Sequence, residues 1–119
     1  MVTLLLLGGG LVYWFYQPLG PGNPKRGKRI YEVNCVPCHG IKGDGNGPRA
    51  YFLVPPPRNF TDADEMEGKD QPTLQKAVTE GKDGTAMLAW NGILTEQQIR
   101  DVLAYVMAFE RRVPSYETK

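Results

Sequence analysis

The chain reads as an all-α domain preceded by an N-terminal membrane-anchor helix. Nowhere do apolar and polar residues alternate as they would in a half-buried strand. Three stretches after residue 24 instead repeat apolar residues at helical spacing and carry start or stop signals. The first 19 residues hold no charged side chain. A length of 119 residues with no internal repeat predicts one domain and a short appendage.

The appendage comes first. Val2 to Tyr16 is uncharged and closes on Tyr13-Trp14-Phe15-Tyr16, the pattern of a membrane segment with an interfacial aromatic belt. Extended through Gln17, Pro18 and Leu19, the run just approaches the ~20 residues that a helix needs to span hydrocarbon. A cleavable export signal is the alternative. No A-x-A-like site follows, so residues 1–19 are expected to be a retained anchor. Gly8-Gly9-Gly10 would let another membrane helix approach closely, unless these glycines are merely tolerated. Residues 20–24 read as a stiff linker, and residues 25–119 as the folded domain.

A helix is expected from about Lys25 to Asn34, opened by Asn23-Pro24, with Gly27, Ile30, Tyr31 and Val33 at its small and apolar positions. Directly after it stand Cys35-Val36-Pro37-Cys38-His39. Two thiols separated by two residues lie on one helical turn and reach the two vinyl groups on one porphyrin edge as thioethers. The imidazole of the next residue is then carried beneath the ring to the iron. A disulfide, half a zinc site or a redox dithiol also begin from a C-x-x-C pair. The inventory argues against them, because the chain has two cysteines and one histidine and no strand–helix alternation around them. One such motif implies one covalent heme c, a large apolar cofactor that completes a thin core.

Gly40, Gly43, Gly45 and Gly47 crowd the next segment and mark a loop whose backbone approaches something flat, read as the heme. Pro72 to Glu80 has a proline start, an apolar trio at Leu74, Ala77 and Val78, and a stop at Gly81. The last helix opens with a Thr95/Gln98 capping box and carries a stripe of Ile99, Val102, Leu103, Val106 and Phe109. It should end near Arg112, ahead of Pro114.

The single histidine excludes bis-histidine ligation within the chain, which leaves methionine as the favoured sixth ligand. Met1 falls in the anchor, Met107 in the last helix, and Met66 among acidic residues. Met87 lies in an irregular stretch, Gly84 to Gly92, between two expected helices. It is the candidate, the alternative being a loop methionine that fills a gap in the core.

Cys35 to His39, the Gly43-Asp44-Gly45-Asn46-Gly47-Pro48 loop, Pro55-Pro56-Pro57-Arg58-Asn59-Phe60, Gly84 to Trp90 and the final helix together resemble bacterial class I monohaem cytochromes c. The likeness covers nearly everything after the linker, and among its members the membrane-anchored monoheme subunit of alternative complex III looks similar. It implies iron held by His39 and Met87, with the Pro48 carbonyl accepting a hydrogen bond from the far nitrogen of His39. The family commonly places proline after that methionine where this chain has Leu88, which implies a looser loop. Arg58 is a candidate partner for a heme propionate, the alternative being an ordinary solvated arginine.

The expectation is a one-electron carrier and not an enzyme, since two filled axial positions leave no room for a substrate. Thioether attachment on the outer face of bacterial membranes, implied by the resemblance, places the domain on the periplasmic side. Lys25, Arg26, Lys28 and Arg29 follow the anchor and would favour the opposite orientation, unless they belong to a folded helix. Expected partners are the other subunits of a membrane electron-transfer complex, quinol-oxidising in kind, with a redox donor and acceptor. A tethered shuttle to a terminal oxidase, a heme sensor or enzyme with an open sixth position, and a chiefly structural subunit are the alternatives. A net charge of +1 supports no nucleic-acid binding and suits a tethered domain, whose anchor supplies effective concentration instead of charge steering.

Overall fold

The computed structural model describes residues 19–109. The expected anchor, Leu19 excepted, therefore lies outside the described residues, and none of the described helices is long and apolar enough to cross a membrane. Among the described residues there are five α-helices, α1 (Pro24–Asn34), α2 (Val36–His39), α3 (Ala63–Met66), α4 (Gln71–Glu80) and α5 (Glu96–Val106), and one 3-10 turn at Ala50–Phe52. No strand is present among the described residues.

The principal packing is α1 against α5. In α1 the Asn23 side chain accepts hydrogen bonds from the amides of Lys25 and Arg26, at 2.9 and 3.2 Å. Pro24 in the first turn forfeits nothing, because that amide has no helical partner. Gly27 and Tyr31 are buried, while Val33 faces solvent. Gly27 marks the crossing point, where a Cβ would collide with the Asp101 carbonyl. In α5 the capping box is formed in both directions: the Gln98 amide donates to Thr95 Oγ1 at 3.1 Å and the Thr95 amide to Gln98 Oε1 at 2.9 Å. The helix runs to Val106, where the Ala108 amide turns to the Tyr105 carbonyl at 3.2 Å, a tighter i→i+3 closure; Phe109 is helical again, and the expected end near Arg112 lies outside the described residues. Phe109 still completes the buried stripe.

Residues 20–23 lie along α5. The Gly20 amide donates to Gln97 Oε1 (2.9 Å) and the Asn23 amide to Asp101 Oδ1 (2.8 Å). A Cβ on Gly22 would meet the Arg100 carbonyl and Ala104. Asp101 is buried but satisfied, for besides the Asn23 amide Arg26 Nε and Nη2 reach its two oxygens at 2.8 and 3.2 Å and Gln97 Nε2 adds a fourth donor at 3.1 Å.

Two small clusters form the core. Tyr31, Phe60, Val102, Val106 and Phe109 make one; Leu74, Ile99 and Leu103 make the other, and Met66 packs against both. Tyr31, Tyr105 and Phe109 meet pairwise with ring centroids 5.0 to 5.2 Å apart. These are tilted geometries, each worth about 0.5–1.5 kcal/mol beyond the area buried.

Candidate heme site

The attachment turn is a tight helical one. Cys35 caps the end of α1 through its amide to the Tyr31 carbonyl (2.8 Å), and its own carbonyl receives the amides of Cys38 (3.2 Å) and His39 (2.8 Å). Tyr31 Oη pins the end of the turn by donating to the Gly40 carbonyl at 2.6 Å. Both thiols are free, so no disulfide is formed. Burial, then the neighbouring Cys38, pushes the Cys35 thiol up to about 12. A redox dithiol needs the opposite, a lowered thiol pKa. Nor do the described residues contain three histidine, cysteine or acidic side chains grouped to hold a metal ion.

His39 is set by residues outside its motif. Its Nδ1 lies 3.2 Å from the Arg58 carbonyl. Its ring stacks on Phe60 with centroids 4.5 Å apart and planes 17° from parallel. Burial lowers its pKa, so the neutral ring places its proton on Nδ1 toward that carbonyl. Nε2 is left with a lone pair, the arrangement an iron ligand requires. The partner is the Arg58 carbonyl and not that of Pro48. The glycine loop folds back on the attachment turn, with the Gly45 amide on the His39 carbonyl (2.9 Å), Gly47 on Cys38 (3.0 Å) and Arg49 on Pro37 (2.8 Å). The Pro57–Arg58 backbone then crosses Gly45 so closely that a Cβ there would stand 2.7 Å from the Pro57 carbonyl oxygen.

The glycines accordingly approach polypeptide: Gly43 faces the Phe109 ring, and Gly47 the carbonyls of Val36 and Pro37. Arg58 itself donates through Nη1 to the Glu65 carbonyl. Phe60 went unrecognised in the sequence, where the aromatic closing the proline run beside Arg58 was its only signal.

Met66 and Met107 are both packed against core clusters, whereas Met87 belongs to neither. Met87 is half-buried in a loop closed onto α4, with the Trp90 amide on the Val78 carbonyl (2.9 Å) and the Asn91 amide on Thr79 (3.3 Å). The stretch expected to be irregular is thus hydrogen-bonded at its base.

The residues present fit a heme c. Two free thiols lie on one turn, an imidazole offers Nε2, and a soft thioether stands outside the core. The 3-10 turn packs against the attachment turn; Phe52 at its end and Val54 just after it are 80% and 93% exposed, and Leu88, next to Met87, is 65% exposed.

An all-helical fold with a C-x-x-C-H turn between its first long helix and a returning loop defines a class I cytochrome c domain. The chain belongs to the cytochrome c family, whose model matches residues 24–110. Cytochrome c6 of Rippkaea orientalis is 32% identical over 104 residues, covering 82% of this chain and 86% of that protein. The cbb3-type cytochrome c oxidase subunit CcoP of Cereibacter sphaeroides is 42% identical over 80 residues, 67% of this chain and 25% of the relative. The chain thus spans about a quarter of the length of that subunit. The structure of cytochrome c6 from the diatom Phaeodactylum tricornutum superposes with a TM-score of 0.61 at 26% identity, covering 76% of this chain and 98% of that one. Residues 24–110 are therefore a c-type cytochrome domain of the electron-carrying kind, with covalent heme c.

Proposed function

We propose that the chain carries single electrons on the outer face of a membrane toward a terminal oxidase, with His39 and Met87 as the two axial ligands of its heme iron. The observation that carries this reading is the fixed His39 tautomer: Nδ1 is engaged by the Arg58 carbonyl, and Nε2 is free to ligate. Met87 is the one described methionine outside the core clusters. The heme supplies one-electron chemistry at its iron. The protein supplies two neutral ligands, of which the soft thioether favours the ferrous state. Buried surroundings disfavour the extra charge of the ferric state, and together these set a mid-to-high potential.

The relatives named as oxidase subunits favour the oxidase side over a quinol-oxidising assembly such as alternative complex III. Near-zero net charge fits a domain held close to its partner by an anchor at residues 1–19. In native membranes the reduced heme should be reoxidised on admitting oxygen, and cyanide should hold it reduced. Reoxidation that ignores cyanide contradicts the oxidase placement, as does a heme that stays reduced while oxygen is consumed. Copurification with a quinol-oxidising complex free of oxidase would move the chain to the donor side.

A further inference from the structure

The segment from Gly81 to Asn91 contains no proline and holds two glycines in the left-handed region, Gly81 at φ 74° and Gly84 at φ 73°. A loop of that composition has much conformational freedom to lose. Its centre is nonetheless tied by one side chain. Thr85 Oγ1 donates to the Lys82 carbonyl at 2.7 Å and accepts from the Met87 amide at 3.1 Å. The Thr85 amide donates to the same Lys82 carbonyl at 3.2 Å, and the Lys82 amide to the Met87 carbonyl at 3.2 Å. Both backbone groups of Met87 are thereby engaged, the amide by a hydroxyl and the carbonyl by an amide across the loop. Gly81 closes the ring from below, where a Cβ would stand 2.8 Å from the Met87 carbonyl oxygen.

We propose that Thr85 is a positioning residue for Met87, its hydroxyl fixing the Met87 backbone so that the thioether is presented to the iron. This rests on the reading of Met87 as the second axial ligand. A methionine side chain has three rotatable bonds and holds no direction unaided. With its amide and carbonyl fixed, only those three rotors remain to be ordered when the thioether ligates. Thr85 then also governs how readily the loop opens to a ligand from solution, because opening must break both bonds of its hydroxyl.

The test uses holo-protein variants and imidazole as the incoming ligand to the ferric state. Thr85→Val keeps the branched shape and removes the hydroxyl. It should bind imidazole on the order of tenfold more tightly, the cost of one to two net hydrogen bonds, at a lowered reduction potential. Thr85→Ser keeps the hydroxyl and should restore both values. Thr85→Ala provides an independent measure should the valine variant load heme poorly. Wild-type imidazole affinity in both hydroxyl-free variants overturns the proposal, and so does failure of serine to restore it. Met87→Ala separates the two claims. It should bind imidazole far more tightly, and adding Thr85→Val on that background should change nothing further. If Met87→Ala leaves the affinity unchanged, the ligand assignment itself is wrong. If it raises the affinity while Thr85→Val does not, only the role of Thr85 is lost.

Discussion

At His39 the imidazole meets the Arg58 carbonyl through Nδ1 and the Phe60 ring through its face. The motif that made this residue recognisable is local chemistry and is readable from five consecutive letters. The groups that orient it come from 19 and 21 residues further on and depend on how the proline run folds across Gly45, which no periodicity encodes. For the same reason the Pro48 carbonyl was the wrong acceptor. Asp101 is a second case, since a carboxylate in the stripe of a helix gives no sequence signal that it is buried. Burial alone would raise its pKa, but the hydrogen bonds from Arg26, Asn23 and Gln97 outweigh that and hold it below the usual carboxylate value. A group whose folded pKa is depressed contributes stability above its unfolded value, and that contribution is lost as pH falls through the folded value. Asp101→Asn should therefore cost about 1–3 kcal/mol at neutral pH, the worth of hydrogen bonds to a buried charge. Its loss relative to wild type should shrink below about pH 4. Thermal melts of both holo-proteins across acid pH check this, and a gap constant with pH would contradict it.

Among the elements, the long helices were readable because their ends are chemically marked. Asn23-Pro24, Pro72 in the first turn of α4, the Thr95/Gln98 box and Gly81 each stand at a helix end where the sequence marks one, whereas the Asp70 cap, one residue ahead of α4, was not anticipated. The four-residue α3 and the 3-10 turn carry no period long enough to detect, and tertiary contacts decide them. The glycine loop was recognised as a close approach but assigned to the heme, since a glycine announces crowding without naming the neighbour. Gly27 gives the sharpest test at this scale. Its missing side chain lets the α1 backbone rest on the Asp101 carbonyl. Gly27→Ala improves helix propensity by ~1 kcal/mol, yet must force the two helices apart. We expect net destabilisation of at least about 1–3 kcal/mol, the usual cost of overpacking. Denaturant unfolding of the holo-protein measures it, and a variant as stable as wild type would show that the crossing is not close-packed.

Across the whole molecule, two small apolar clusters joined through Met66 organise the domain around α1 and α5. The attachment turn packs on the first cluster through Cys35 and Val36, while the glycine loop and the Met87 loop are tied by hydrogen bonds to neighbouring backbone. That division suits a carrier. Under the proposed ligation, loops that hold His39 and Met87 in place would leave little to reorganise when an electron arrives. The most direct test is an optical redox titration of the purified holo-protein, run with and without carbon monoxide. Iron closed by His39 and Met87 should be low-spin in both states, titrate as a single one-electron couple, and be unaffected by the gas. A high-spin ferric form whose ferrous state binds carbon monoxide readily would contradict the closed site and, with it, the assignment of this chain as a dedicated electron carrier.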